Sequence, residues 1–268
     1  MGINRQMETM EKATNIDINN IIDLAEKAGQ AILAIYNTET TISTKEDGSP
    51  LTQADLASHN LICAELTEQY PDIPIISEES NQTGIKDIST NHDYFWLIDP
   101  LDGTKEFINR NGEFTVNIAL IYKGRPILGV IHAPVLEVTY FAEKGNGCFK
   151  KDKEGTHKLP STKLDTDSLV VVASKSHLND ATKNYIEQLE EETGKYAEKI
   201  SVGSSLKFCL VAEGKAHVYP RLAPTMHWDT AAGDIIACEA GKTVINYETS
   251  KPLDYSDTNK LNPWFVVK

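Results

Sequence analysis

The chain of 268 residues is long enough for two modest domains or one large one, and its 40% hydrophobic and 24% charged content belongs to a folded chain rather than a disordered one. A formal net charge of −13 excludes a basic surface for polyanions, so polymeric nucleic acid is not an expected partner. A small phosphorylated ligand needs only a few local cations or a metal ion. No apolar run reaches the roughly 18 residues of a membrane helix, and the polar residues 1–8 lack the apolar core of a secretory leader. Cys63, Cys148, Cys209 and Cys238 stand singly, which argues against a zinc knuckle or a disulfide framework. A reducing cytoplasm is the expected compartment, with peripheral attachment to the inner face of the membrane left open.

Ile18, Ile21, Ile22, Ala25, Ala28, Ile32 and Ile35 recur at helical spacing and predict an amphipathic helix. Leu56, Ile62, Cys63, Leu66 and Tyr70 predict a second, starting near Thr52 after a turn marked by Asp47-Gly48 and Ser49-Pro50. Short apolar runs that stop at acids follow: residues 73–76 run into Ser77-Glu78-Glu79, and residues 94–98 into Asp99. Residues 115–122 and 127–132 flank Lys123-Gly124-Arg125-Pro126 as a long hairpin, and residues 138–141 continue the sheet. The stretch 144–164 has no sustained period, so the expected boundary falls there, between an N-terminal part (1–160) and a C-terminal part (161–268). Beyond it a strand is expected over 169–173 and helices over 178–192, 206–212 and 230–240. This alternation implies a layered α/β architecture.

The most informative stretch is Trp96-Leu97-Ile98-Asp99-Pro100-Leu101-Asp102-Gly103-Thr104-Lys105-Glu106, an apolar strand ending in two carboxylates and then a helix start. Two acids in one pocket repel unless a cation joins them or one takes a proton, and all-oxygen ligation suits Mg²⁺. For either acid alone the reading as a turn former or helix cap would win. Strand-terminal Glu78 and Glu79 shift the balance toward metal. Haloacid-dehalogenase-type phosphatases also place two acids after a strand, but one residue apart, whereas Pro100 and Leu101 both intervene here.

The Asp99–Asp102 spacing, with Ser77-Glu78-Glu79-Ser80 upstream and Trp228-Asp229-Thr230-Ala231-Ala232-Gly233 downstream, resembles the inositol monophosphatase superfamily of metal-dependent, lithium-sensitive phosphatases. Asp102-Gly103-Thr104-Lys105-Glu106-Phe107, the block from Arg110 to Asn117, Gly203-Ser204-Ser205-Leu206-Lys207 and Tyr219-Pro220-Arg221 are similar to the nucleotidase branch of that superfamily. The resemblance implies an α/β/α/β/α sandwich of the sugar-phosphatase type. It also implies hydrolysis of the 3′-phosphate of adenosine 3′,5′-bisphosphate to AMP by direct attack of water on phosphorus. Inositol or sugar monophosphates are the rival substrates, and a non-catalytic nucleotide or metal sensor is the rival class.

The same resemblance implies that Glu78, Asp99, Asp102, Asp229 and the carbonyl of Leu101 ligate two or three Mg²⁺ ions. Glu79 is expected behind them, because neighbours on a strand face opposite ways. Thr104 is implied to bond the attacking water and Asp55 to take its proton, although Thr52-Gln53-Ala54-Asp55 reads from spacing as a capping box. Asp229 likewise reads as the cap of the helix after it. Gly103 lets the backbone approach the phosphate. Ser204, Lys207, Arg221 and His177 are implied around the nucleotide. Each has a plainer role as cap or solvated side chain; Arg221, after an apolar run, is the one most in need of an anion. Lys175 stands where the family pattern leads one to expect Arg.

Overall fold

The computed structural model describes residues 16–38, 42–44, 50–80, 92–162, 165, 167–173, 179–256 and 261–268. The first helix, α1 (Ile18–Tyr36), is started by Asp17, whose carboxylate accepts from the Asn19 amide, and it buries Ile21, Ile22, Ala25, Ala28 and Ile32 along one stripe. The short strands β1 (Ile42–Thr44) and β2 (Pro50–Thr52) pair antiparallel. The expected turn between them lies largely outside the described residues. Helix α2 (Gln53–Gln69) opens on a capping box in which Thr52 and Asp55 satisfy each other's backbone. It buries Ile62 and Leu66 together with Ala54, Asp55 and Ser58, whereas Leu56 is 42% exposed because, six residues before Ile62, it falls about 120° round the helix from that buried stripe.

A seven-stranded sheet follows in the order β3 (Ile75–Ser77), β4 (Tyr94–Asp102), β5 (Thr115–Tyr122), β6 (Arg125–Ala133), β7 (Val138–Glu143), β8 (Gly147–Asp152) and β9 (Gly155–Lys158). Only β3 and β4 run parallel; the rest is a meander. The predicted hairpin is β5–β6. Residues 144–164 are more regular than their composition suggests: β8 and β9 extend the sheet there, with Lys150, Lys151 and Asp152 where an apolar alternation would have marked a strand. The five-residue helix α3 (Thr104–Ile108) leaves the end of β4 through Gly103, whose φ of 95° is open chiefly to glycine.

The second half adds β10 (Leu169–Ala173), α4 (Asp180–Thr193), β11 (Ala197–Ser201), α5 (Leu206–Glu213), β12 (Tyr219–Arg221), a 3₁₀ turn (His227–Asp229), α6 (Ala231–Glu239), β13 (Val244–Asn246) and β14 (Phe265–Val267). Strands β10 and β11 pair parallel, β12-β14-β13 form an antiparallel sheet, and Val171 and Val218 bridge the two.

Three apolar cores define the layers. Helices α1 and α2 pack on one face of the large sheet around Trp96, Ile98, Val116 and Ile118. Helices α5 and α6 cover its other face and carry the second sheet through Phe208, Tyr219 and Phe265. Helix α4 closes the far side over Leu169, Val171 and Ile186. The result is the expected α/β/α/β/α sandwich. Among the described residues no helix is long and apolar enough to cross a membrane.

Candidate active site

The acids gather where β3 and β4 end. The Glu78 amide donates to the Ile98 carbonyl at 3.1 Å, which sets Glu78 beside Asp99. Glu78 and Glu79 lie in a turn beyond β3, so strand alternation does not govern them. Asp99 and Asp102, three apart, would face opposite sides of a regular strand. A register shift between them breaks the alternation and re-aims Asp102, while the Leu101 amide donates to Asp99 Oδ1 at 3.0 Å.

Asp229 comes from the opposite layer. It sits in the 3₁₀ turn, where its Oδ2 accepts from the Met226 amide at 2.9 Å, and Thr230 takes the position before α6. The plainer reading of Asp229 as the cap of that helix is therefore set aside, because Thr230 holds the cap position and Asp229 Oδ2 closes its own turn instead. Asn262 secures the turn by donating to the Met226 carbonyl at 2.6 Å and to Thr230 Oγ1 at 3.0 Å.

Glu78, Asp99 and Asp229 each bring one carboxylate oxygen to within 4.8 Å of the others. Asp102 stands next to this triplet, its Oδ2 accepting from Ser205 Oγ at 2.7 Å and from Asn117 Nδ2 at 3.4 Å. Crowding has the electrostatic result that sequence alone anticipates. Burial, then Glu78, Asp102 and Asp229, push the Asp99 carboxyl well above the ordinary range. Burial, then Asp102 and Glu78, raise Asp229 to about 8. The site as built either holds protons or needs a cation. Four carboxylates offering only oxygen fit a hard divalent ion, so the donor set passes the chemical test for one.

Asp55 serves its cap and faces the site at once. Its Oδ2 accepts from the Thr52 amide at 2.8 Å and from the Thr52 hydroxyl at 2.5 Å, while Oδ1 accepts from Thr104 Oγ1 at 3.2 Å. Ser58, one turn further along α2, donates to the Pro100 carbonyl at 2.7 Å and ties the helix to the acidic loop.

A cleft of about 650 Å³, including its open mouth, runs from Asp102 and Asp229 past Gly103, Ser204 and Lys207 to Arg221. Lys207 is no solvated face: it is 7% exposed, its ammonium donates to the Ser204 carbonyl at 2.5 Å, and burial holds it down to about 8. Arg221 donates to the Pro224 carbonyl at 2.8 Å, while its buried Nε has no hydrogen-bond partner among the described residues. Ser204 has a positive φ of 46° and does not cap α5. Gly203 needs its missing side chain, because a Cβ there would meet Glu106 Cγ and the Glu113 carbonyl at 2.7 Å. His177 and Lys175 lie outside the described residues.

The sequence reading did not single out Thr115, Asn117, Ser205 or Ser58 for a role. Thr115 and Asn117 carried a usable mark: two polar residues on the same face of an otherwise apolar strand, paired in register with Asp102 and Asp99.

Residues 10–263 match the family model of the inositol monophosphatase family, and the chain belongs to that family. It is 46% identical over 253 residues to the 3′(2′),5′-bisphosphate nucleotidase CysQ of Salmonella typhimurium, covering 93% of this chain and 98% of the relative. The enzyme of the same name from Escherichia coli K12 is 45% identical with the same coverage. Among solved structures, CysQ from Bacteroides thetaiotaomicron superposes with a TM-score of 0.83 at 44% identity, over 92% of this chain and 94% of that one. An inositol monophosphatase from Thermotoga maritima gives 0.74 at 25% identity, over 94% and 91%.

Proposed function

We propose that the chain is a Mg²⁺-dependent 3′(2′),5′-bisphosphate nucleotidase that removes the 3′-phosphate of adenosine 3′,5′-bisphosphate to give AMP and phosphate, and also accepts the 5′-phosphosulfate analogue. The observation that carries this reading is one cleft with two chemically opposite ends. Asp102 and Asp229 line one end, with Glu78 and Asp99 clustered beside Asp229, and at the other end lie Lys207 and Arg221, whose Nε has no hydrogen-bond partner among the described residues. A substrate with two phosphates can satisfy both ends, whereas a monophosphate satisfies one. The likeness to the two CysQ nucleotidases supports the same choice.

Glu78, Asp99, Asp102 and Asp229, with the Leu101 carbonyl, would hold two or three Mg²⁺ ions. Bound Mg²⁺ would supply positive charge to the phosphate oxygens and acidify a water. Thr104 points its hydroxyl proton at Asp55, which leaves the threonine oxygen to accept a proton from the attacking water; Thr104 keeps that proton and hands its own to Asp55. Thr52 holds the other oxygen of Asp55, so the acid cannot swing away. At the far end Ser204, Lys207 and Arg221 take the second phosphate and ribose, with His177 near the base. Residues 1–160 thus supply most metal ligands, and 161–268 supply Asp229 and the nucleotide end. A reducing cytoplasm suits the free thiols of Cys63, Cys148, Cys209 and Cys238.

The deciding experiment measures phosphate release with Mg²⁺ from adenosine 3′,5′-bisphosphate, its phosphosulfate analogue, 3′-AMP and inositol 1-phosphate. The bisphosphate should have the highest kcat/KM. A preference for inositol 1-phosphate would overturn the substrate assignment, and nucleotide binding without release would mark a sensor.

A further inference from the structure

Ser205 stands just before the first turn of α5, where a serine ordinarily accepts a hydrogen bond from an early helical amide, yet it makes no such bond. Its hydroxyl turns toward the acids, 2.7 Å from Asp102 Oδ2 and 2.8 Å from the Asp229 carbonyl. That hydroxyl has one proton, and it already accepts from Asn117 Nδ2 at 2.9 Å. Of its two acceptors the carboxylate is the stronger, because a charged oxygen shortens and strengthens the bond. Asn117 is oriented in turn: its Oδ1 accepts from Thr115 Oγ1 at 2.9 Å, and its amide also reaches Asp102 Oδ2. Ser204 Oγ lies 3.1 Å from Thr115 Oγ1. Thr115, Asn117 and Ser205 are each 2% exposed or less. The donors therefore run one way, from Thr115 through Asn117 and Ser205 into Asp102. Chains of this kind polarise one another in a low-dielectric interior.

We infer that Ser205 is a positioning residue that fixes which oxygen of Asp102 meets a divalent cation. Both side-chain contacts on Asp102 fall on Oδ2, which leaves Oδ1 for the ion. The bond matters because Asp102 ends a strand of the large sheet, whereas Ser205 stands at the start of α5 in the layer that covers that sheet. The inference rests on the metal-dependent reading above, and it assigns Asn117 and Thr115 the task of aiming Ser205.

The test uses the full chain. Mg²⁺ is titrated by calorimetry without nucleotide, alongside the Mg²⁺ concentration for half-maximal turnover of adenosine 3′,5′-bisphosphate and the melting temperature of the metal-free protein. Ser205→Ala should weaken Mg²⁺ binding by about 10-fold or more, the effect typical of removing a partner behind a ligand, with the half-saturating Mg²⁺ rising in step. The nucleotide KM at saturating Mg²⁺ and the metal-free melting temperature should hold, which separates positioning from a general loss of packing. Asn117→Ala should weaken Mg²⁺ in the same direction, and the double variant should bind no worse than the more affected single, because the two act on one oxygen. Wild-type Mg²⁺ affinity in Ser205→Ala, or fully additive losses in the double variant, would overturn the assignment. A wild-type protein that binds no Mg²⁺ would overturn the metal reading itself, and that result is visible before any variant is made.

Discussion

Replacing Asp229 by Asn should abolish turnover and make the metal-free protein more stable. Burial beside Asp102 and Glu78 raises the Asp229 carboxyl from an ordinary 3.8 to about 8. At pH 7 the folded chain must then hold a proton that the unfolded chain has released, a cost of about 4 kcal/mol at 1.36 kcal/mol per unit. Part of Asp229 opens on the cleft, so solvent screening reduces the recoverable share to about 2 kcal/mol. The sign follows from linkage. Below the ordinary carboxylate range both states are protonated and the penalty is absent; it grows as pH rises from about 4 and is complete above about 8. Asn keeps the shape and can still accept from the Met226 amide, but it carries no charge. In a metal-free melting series from pH 5 to 8.5, the wild type should lose stability with rising pH, and Asp229→Asn should melt about 4–8 °C higher than wild type near neutrality. Mg²⁺ should raise the wild-type melting temperature more than that of the variant. A variant less stable than wild type without metal, or one that keeps Mg²⁺-dependent turnover, would refute the reasoning that the acids are mutually strained and ion-seeking.

Arg221→Ala should cost about 2–4 kcal/mol in kcat/KM for adenosine 3′,5′-bisphosphate, since a charge-assisted contact is lost in a partly desolvated place, and should leave 3′-AMP nearly unaffected. Equal losses on the two substrates would reduce Arg221 to a packing role. Thr104→Val should lower kcat by roughly 10²–10⁴-fold with little change in KM or melting temperature, because the Thr52–Asp55 cap survives; a parallel fall in stability would return Asp55 to a purely structural role. Because burial depresses Lys207 to about 8, the nucleotide KM should rise as pH climbs through 8 and the ammonium is lost, and Lys207→Arg should flatten that rise. An identical pH profile in the variant would point to another group.

Sequence reading reached furthest where one physical rule governed several residues. The stripe from Ile18 to Ile32 announced α1, and the acids ending two apolar runs announced a crowd of carboxylates, because strands paired side by side bring their ends together. It failed where local chemistry was outvoted. Leu56 faces solvent because it lies about 120° round the helix from Ile62, and the polar Asp55 and Ser58, which a hydrophobic period passes over, share the buried stripe instead. Strands β8 and β9 escaped notice because lysines and an aspartate occupy the positions that an alternating strand would make apolar. Asp229 reads as a cap in one dimension, and only the fold shows its Oδ2 closing its own 3₁₀ turn while the carboxylate joins Glu78 and Asp99. Lys207 carries no mark of burial at all, because the carbonyls that hold its ammonium come from the unusual backbone at Ser204. The relay through Asn117 and Ser205 joins residues 88 apart and is invisible to any local window.

That separation has a consequence for the life of the chain before it is finished. Ser205 follows Asp102 by 103 residues, and Asp229 comes later still, so at about 5–20 residues per second a nascent chain carries the strand-end acids for roughly 5–20 s before their tether emerges. Throughout that interval the large sheet can assemble from β4 to β9, but Glu78, Asp99 and Asp102 have neither Ser205 nor Asp229. On the metal-dependent reading proposed above, divalent ion capture is thereby deferred to the end of synthesis. It acts as a latch on the completed molecule and not as a nucleus for its first half, and a chain released before residue 229 should gain no thermal protection from Mg²⁺.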